Sequence, residues 1–115
     1  MEKNCIFCRI AAGEIKSDRV YDGEDMVVFK DIHPISPVHW LAVPKKHIST
    51  LNDLGPGDKE LVGGIFLKIA ELASQHKIAA DGYRVVANCN KNGGQEVFHV
   101  HFHVLGGKQL NWPPE

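Results

Sequence analysis

The sequence predicts an α+β fold, one domain over residues 1–115 with an antiparallel five-stranded sheet and two helices, in the order helix, three strands, helix, two strands. Three observations carry this reading. Short β-branched and aromatic runs such as Met26–Lys30 and His39–Val43 are bounded by Gly, Pro and Asp. One long stretch, Asp58 to Lys77, follows the 3.6-residue apolar period instead. The links between runs are short, which favours antiparallel pairing.

Taken in order, Cys5–Gly13 places Ile6, Phe7 and Ile10 at helical spacing and ends on a glycine, which suits a short amphipathic helix. Val20–Tyr21 and Met26–Lys30 flank Asp22-Gly23-Glu24-Asp25 and read as a hairpin with an Asp-Gly turn. His39 to Val43 is a third strand that halts at Pro44, because proline cannot donate to a ladder. The main helix follows a Gly55-Pro56-Gly57 break and aligns Leu61, Val62, Ile65, Phe66, Ile69, Leu72 and Ala73. Gly63 and Gly64 interrupt it at a cost of roughly 1 kcal/mol each relative to Ala, which points to close approach of another backbone. Tyr83–Asn88 and Phe98–Leu105 are the last strands, joined by a turn through Asn90-Lys91-Asn92-Gly93-Gly94.

A formal net charge of -1 with 13 Lys plus Arg argues against a nucleic-acid or membrane-surface protein, which needs a basic face. No apolar run has the length of a signal peptide or a membrane span, so a cytoplasmic location is the expectation. Three cysteines do not make a disulfide scaffold, and Cys5-x-x-Cys8 reads as a metal pair, a redox pair or two small buried residues.

The chemistry concentrates in His99-Val100-His101-Phe102-His103-Val104-Leu105. In an extended strand the three histidines project to one face and the three apolar residues to the other. Neighbouring imidazoles then lie roughly 7 Å apart, from a rise of about 3.3 Å per residue. A solvated strand face is ordinarily Lys, Glu or Thr. Imidazole belongs where a neutral nucleophile, a proton shuttle or a metal ligand is needed near neutral pH. Joint ligation of one ion by His99 and His101 is a rival reading of the same spacing.

This segment, followed by Gly106-Gly107, resembles the motif of the histidine-triad (HIT) superfamily, in its Hint branch. Asp31-Ile32-His33-Pro34, Val43-Pro44-Lys45-Lys46-His47-Ile48, Gly82-Tyr83-Arg84, Gly93-Gly94-Gln95 and Trp112-Pro113-Pro114 resemble Hint segments in the family's order, so the resemblance covers nearly the whole chain. It implies a purine nucleoside phosphoramidase-type hydrolase that cleaves AMP–N or acyl-AMP bonds through a covalent nucleotidyl-histidine. His101 would be the nucleophile, with His103 donating to phosphate and leaving group, His99 completing the triad and His39 setting its tautomers from behind. Asp31 would hold the ribose diol, and Ile6, Phe7, Ile10, Phe29, Ile32 and Leu41 a purine slot. Asn88, Gly94, Gln95, Glu96 and Val97 would lie along ribose and phosphate. Glu96 stands where some relatives carry a phosphate-contacting hydroxyl, a task that an ionised carboxylate cannot do.

The resemblance further implies structural zinc held by Cys5, Cys8, His47 and His99, and no cofactor for catalysis. It implies a homodimer joined through the main helix and the strand after it, forming a ten-stranded sheet, with Trp112 near the partner's pocket. The substrates implied are AMP or GMP conjugates. Dinucleoside polyphosphate hydrolysis, as in the Fhit branch, is the enzymatic alternative, and a non-catalytic nucleotide-binding scaffold the other.

Overall fold

Each strand carries apolar residues on both faces, so the sheet needs cover on both. The computed structural model describes residues 4–114 and supplies that cover with one helix on each side. The elements are α1 (Ile6–Ala11), β1 (Arg19–Asp22), β2 (Met26–Lys30), β3 (Val38–Pro44), α2 (Lys59–Gln75), β4 (Tyr83–Val86) and β5 (Phe102–Gly106). Two 3-10 turns, Leu51–Asp53 and Pro56–Asp58, lead into α2. The five strands pair antiparallel in the order β1-β2-β3-β5-β4. Strand β5 thus enters between β3 and β4 and carries the histidine segment into the interior of the sheet.

Alternation sorts the side chains. Met26, Val28, Trp40, Ala42, Val100, Phe102 and Val104 form one core with Ile65, Ile69, Leu72 and Ala73 of α2. Val27, Phe29, Leu41 and Val43 point the other way and pack with Cys5, Phe7, Cys8 and Ile10 around α1. The Cys5 Sγ caps α1 by accepting the Cys8 N–H at 3.3 Å, so the Cys-x-x-Cys spacing is also the geometry of the helix start. At the first hairpin the Gly23 N–H donates to the Met26 carbonyl at 2.9 Å, closing the expected Asp22–Asp25 turn. Among the described residues no helix is long and apolar enough to cross a membrane.

Three expectations need correction. The strand read over Phe98–Leu105 begins only at Phe102, and that read over Tyr83–Asn88 ends at Val86. The β3–β5 ladder stops at Ala42 opposite Phe102, because Pro44 has no N–H and its carbonyl accepts a side chain instead. The Val100 N–H turns to the Ile48 carbonyl at 2.6 Å. Within one chain, Gly63 and Gly64 meet no backbone: a Cβ built at either would find nothing within 4 Å.

Candidate active site and metal centre

Although His99 and His101 precede the strand, the alternation survives. Val100 and Phe102 enter the α2-side core, and the histidines turn to the side covered by α1. Phe7 of α1 presents its ring at 70° to His99 (centroids 6.0 Å) and 86° to His101 (5.0 Å), so one aromatic wedge fixes both. The His101 and His103 rings lie 5.1 Å apart, closer than an ideal strand would put them.

The partners of each imidazole decide which nitrogen carries hydrogen. A carbonyl only accepts, so the His101 Nδ1–H donates to the His99 carbonyl at 2.7 Å and leaves Nε2 with a lone pair. For the same reason His99 donates Nε2–H to the Pro44 carbonyl at 2.8 Å and leaves Nδ1 free. The Ile35 N–H donates to His39 Nδ1 at 3.2 Å, which makes His39 Nε2 the donor to His103 Nδ1 at 2.9 Å. His103 therefore bears its hydrogen on Nε2. Asp31 Oδ1 accepts the His33 N–H at 2.8 Å, and its Oδ2 lies 3.4 Å from His39 Nε2.

Burial keeps these rings neutral. It pushes His103 down to about 4, helped by the neighbouring His101 and His39 and opposed by Asp31. Burial likewise holds His101 below the ordinary imidazole value, against the pull of its bond to the His99 carbonyl and of Asp31 and Glu96. His39 is lowered by burial and partly restored by Asp31.

The freed His99 Nδ1 faces Cys5 Sγ at 3.2 Å and Cys8 Sγ at 3.5 Å, while His47 Nδ1 stands 3.3 Å from Cys8 Sγ. All four ligand atoms lie within 4.8 Å of one another. Tetrahedral zinc with bonds of about 2.3 Å to sulfur and 2.0 Å to nitrogen spaces its ligands by about 3.5 Å, so the donor set fits the ion. The group includes His99 but not His101, whose Nδ1 is held by a carbonyl. Burial pushes the Cys5 thiol up, which favours its neutral form unless a cation stands beside it.

The remaining site candidates divide. Phe7, Ile10, Phe29 and Leu41 are packed as core, with Val97 half-buried against them, whereas Ile6 and Ile32 stand out at the surface, 47% and 85% exposed. Asn88 donates Nδ2–H to the Gly93 carbonyl at 2.7 Å. Gln95 is buried, accepts the Asn90 N–H and donates both amide hydrogens, to the Ser49 and Val97 carbonyls. The resemblance sets Gln95 along the phosphate, and in the structure its side-chain amide braces the turn that carries it. Gly94 adopts φ +77° in that turn, and Glu96 is exposed. Trp112 lies against Arg84 of β4, whose guanidinium carbon stands 5.8 Å from the centroid of the indole ring. The Ile35 N–H and the Pro44 carbonyl were missed from the sequence; no side-chain signal marks a backbone group as a tautomer-setting partner.

The signs of these shifts predict an acid limit on stability. His39, His101 and His103 bind protons less readily folded than unfolded, so stability is full above the unfolded value near 6.5 and falls as pH drops toward 4. Thermal melts should give a flat Tm from pH 8 to 7 and a steady decline from pH 6.5 to 4.5.

A family model described as the HIT domain matches residues 12–110. The chain is 46% identical over 103 residues to Protein HitA of Neisseria gonorrhoeae, covering 90% of this chain and 95% of that one. It is 42% identical over 110 residues to the purine nucleoside phosphoramidase of Escherichia coli (strain K12), covering 96% and 92%. The crystal structure of a HIT family hydrolase from Legionella pneumophila Philadelphia 1 superposes with TM-score 0.96 at 46% identity, covering 97% of this chain and 100% of that one. A histidine triad protein from Clostridium difficile gives TM-score 0.94 at 41% identity, covering 96% of each. With its sheet, its histidine segment and nearly its full length matched in this way, the chain belongs to the histidine-triad (HIT) domain family.

Proposed function

We propose that the chain is a purine nucleoside phosphoramidase-type hydrolase that works through a nucleotidyl-His101 intermediate. The observation that carries the reading is the His101 Nδ1–H bond to the His99 carbonyl at 2.7 Å, which leaves a neutral imidazole with an unprotonated Nε2. That lone pair would attack the α-phosphorus of an AMP or GMP conjugate as the P–N bond breaks. His103, with its hydrogen on Nε2, would donate a hydrogen bond to the departing nitrogen, which takes its proton from water rather than from the neutral ring. Water would then attack the nucleotidyl-histidine, releasing the nucleotide and a proton, with His101 restored. Asp31 would take the ribose hydroxyls, since a carboxylate has about four acceptor positions and only two are engaged here. The base would lie by the exposed edge of α1, near Ile6 and Ile32. Support also comes from the relative in Escherichia coli named purine nucleoside phosphoramidase.

His101→Gly should lower turnover of an adenosine phosphoramidate by at least about 10⁴-fold while adenosine monophosphate still binds, because ribose and base contacts lie elsewhere. An alkaline quench during turnover should capture one AMP on His101 in the parent enzyme, because a P–N bond to imidazole survives base and is cleaved by acid. A His101→Gly protein with near-parental kcat refutes the reading.

The same reading includes structural zinc on Cys5, Cys8, His47 and His99. The ion would tie the start of α1 to the segment before β5, and the chemistry it supplies is cross-linking, with every step left to the histidines. Purified protein should contain about one zinc per chain with sulfur and nitrogen scattering in X-ray absorption, and Cys8→Ser should lower Tm by several degrees more than the loss of one buried thiol warrants.

A homodimer is proposed on two grounds. β4 is an edge strand with one side unpaired, and the adjoining α2 leaves Gly63, Gly64, Phe66 (45% exposed) and Leu67 (75% exposed) at the surface. Sedimentation at micromolar concentration should return twice the chain mass, and Leu67→Glu should return the chain mass alone.

A further inference from the structure

We infer that Ser49 is a positioning residue for His47: its hydroxyl accepts the Nε2–H of that ring, keeps Nδ1 aimed at the cysteines, and so sets how tightly the cluster holds zinc. The inference rests on the zinc reading above and reaches beyond the four ligands.

Among those ligands His47 is the one least fixed by packing. Cys8 and His99 are fully buried and Cys5 is built into the start of α1, whereas His47 is half-buried on the connection after β3. The far nitrogen of His99 is held by a main-chain group, the Pro44 carbonyl. The far nitrogen of His47 meets a side chain instead: Ser49 Oγ stands 3.3 Å from Nε2, while Nδ1 stands 3.3 Å from Cys8 Sγ. Edge-to-face packing on His99, with centroids 4.9 Å apart and planes at 89°, sets the plane of the His47 ring. It does not choose between that ring and the same ring turned over by half a revolution, which would put carbons where the nitrogens are. The two polar contacts, one at each end of the ring, make that choice together.

Ser49 can do this because its own main chain is pinned. Its carbonyl accepts a Gln95 amide hydrogen at 2.8 Å, and the neighbouring Ile48 carbonyl accepts the Val100 N–H at 2.6 Å. The hydroxyl is therefore offered from a fixed backbone, and removing it touches neither of these bonds.

A nitrogen that ligates a cation brings a lone pair, so a neutral His47 ligating through Nδ1 carries its hydrogen on Nε2, with the Ser49 oxygen as acceptor. With a cation at Nδ1 the ring gives up electron density, and its Nε2–H becomes a stronger donor. The bond to Ser49 is then stronger in the loaded protein than in the metal-free one, and the difference appears as affinity. A hydroxyl that served local structure alone would stabilise both forms equally and leave affinity unchanged. Loss of such an outer partner costs roughly 10–100-fold in metal affinity, and the 3.3 Å length puts Ser49 at the lower end, about tenfold.

The test uses the full-length chain with zinc as the only ligand. Competition against a chromophoric chelator should give Ser49→Ala a zinc Kd about tenfold above the parent's, and Ser49→Thr, which keeps the hydroxyl, a Kd within about threefold of it. The metal-free forms of Ser49→Ala and the parent should melt together. In zinc-loaded parent labelled with 15N-histidine, the His47 Nδ1 shift should report coordination and its Nε2–H should exchange slowly with water, a readout that needs no variant. Equal zinc Kd values for the parent and Ser49→Ala, a Ser49→Thr protein as weak as Ser49→Ala, or ligation through His47 Nε2 overturns the inference and leaves the zinc site standing. A parent chain that takes up no zinc overturns both.

Discussion

The site depends on one imidazole, that of His99, which is tied down in three directions. Its Nε2–H is held by the Pro44 carbonyl, its Nδ1 faces the two cysteines of the α1 start, and its own carbonyl accepts the Nδ1–H of His101. Rotation of that ring would release the cysteine cluster, and a shift of its backbone would release the His101 hydrogen. A fully buried position makes each of these bonds obligatory, because a buried polar group without a partner costs roughly 1–3 kcal/mol. The cysteine–histidine cluster and the His101 hydrogen bond therefore share a residue while using different atoms of it, the ring for one and the main chain for the other.

From that anchor the hydrogens of the site run in fixed directions. Backbone groups stand at the ends of the chain of rings: the Ile35 N–H fills one nitrogen of His39, and the Pro44 and His99 carbonyls each hold one imidazole hydrogen. Backbone groups do not titrate, so they impose tautomers that persist across pH as long as the rings stay neutral. Burial provides that neutrality. The two charges that bear on His101, those of Asp31 and Glu96, are both negative and both favour its protonation. Desolvation outweighs them. The His101 ring is thus kept unprotonated by its surroundings at large rather than by a neighbouring cation.

The short helix α1 is small for the work it does. Six residues cannot stand as a helix alone in water, yet Phe7 and Ile10 bury their side chains on the sheet and Cys5 caps the first turn. Its Phe7 is the contact between helix and histidines, edge to face with both His99 and His101. The terminal helix, the first ring of the triad and the loop carrying His47 thereby become one unit, closed at the cysteine cluster.

Much of this was legible from local pattern. Alternation and the 3.6 period are properties of neighbouring residues, so the class of fold, the order of elements, the hairpin at Asp22–Asp25 and the apolar face of α2 followed from the chain itself. The motif resemblance brought Cys5, Cys8, His47 and His99 into one group, as the structure does, whereas the cluster of Asp31 with His39 and His103 emerged only from the fold. What it could not supply are closures between backbone and ring. Pro44 was legible as a strand stop, but that its carbonyl would bind His99 depends on groups 55 residues apart meeting at the end of a ladder. The late start of β5 follows from that same bond, and so does the turn of Val100 toward Ile48. Gln95 looked available for a ligand because its carbonyl partners, Ser49 and Val97, are found only once the loops pack. Residue type and spacing determined which groups this protein brings to its site. Only tertiary structure decided where each hydrogen lies, because a tautomer is chosen by whichever distant donor or acceptor the fold sets against the ring.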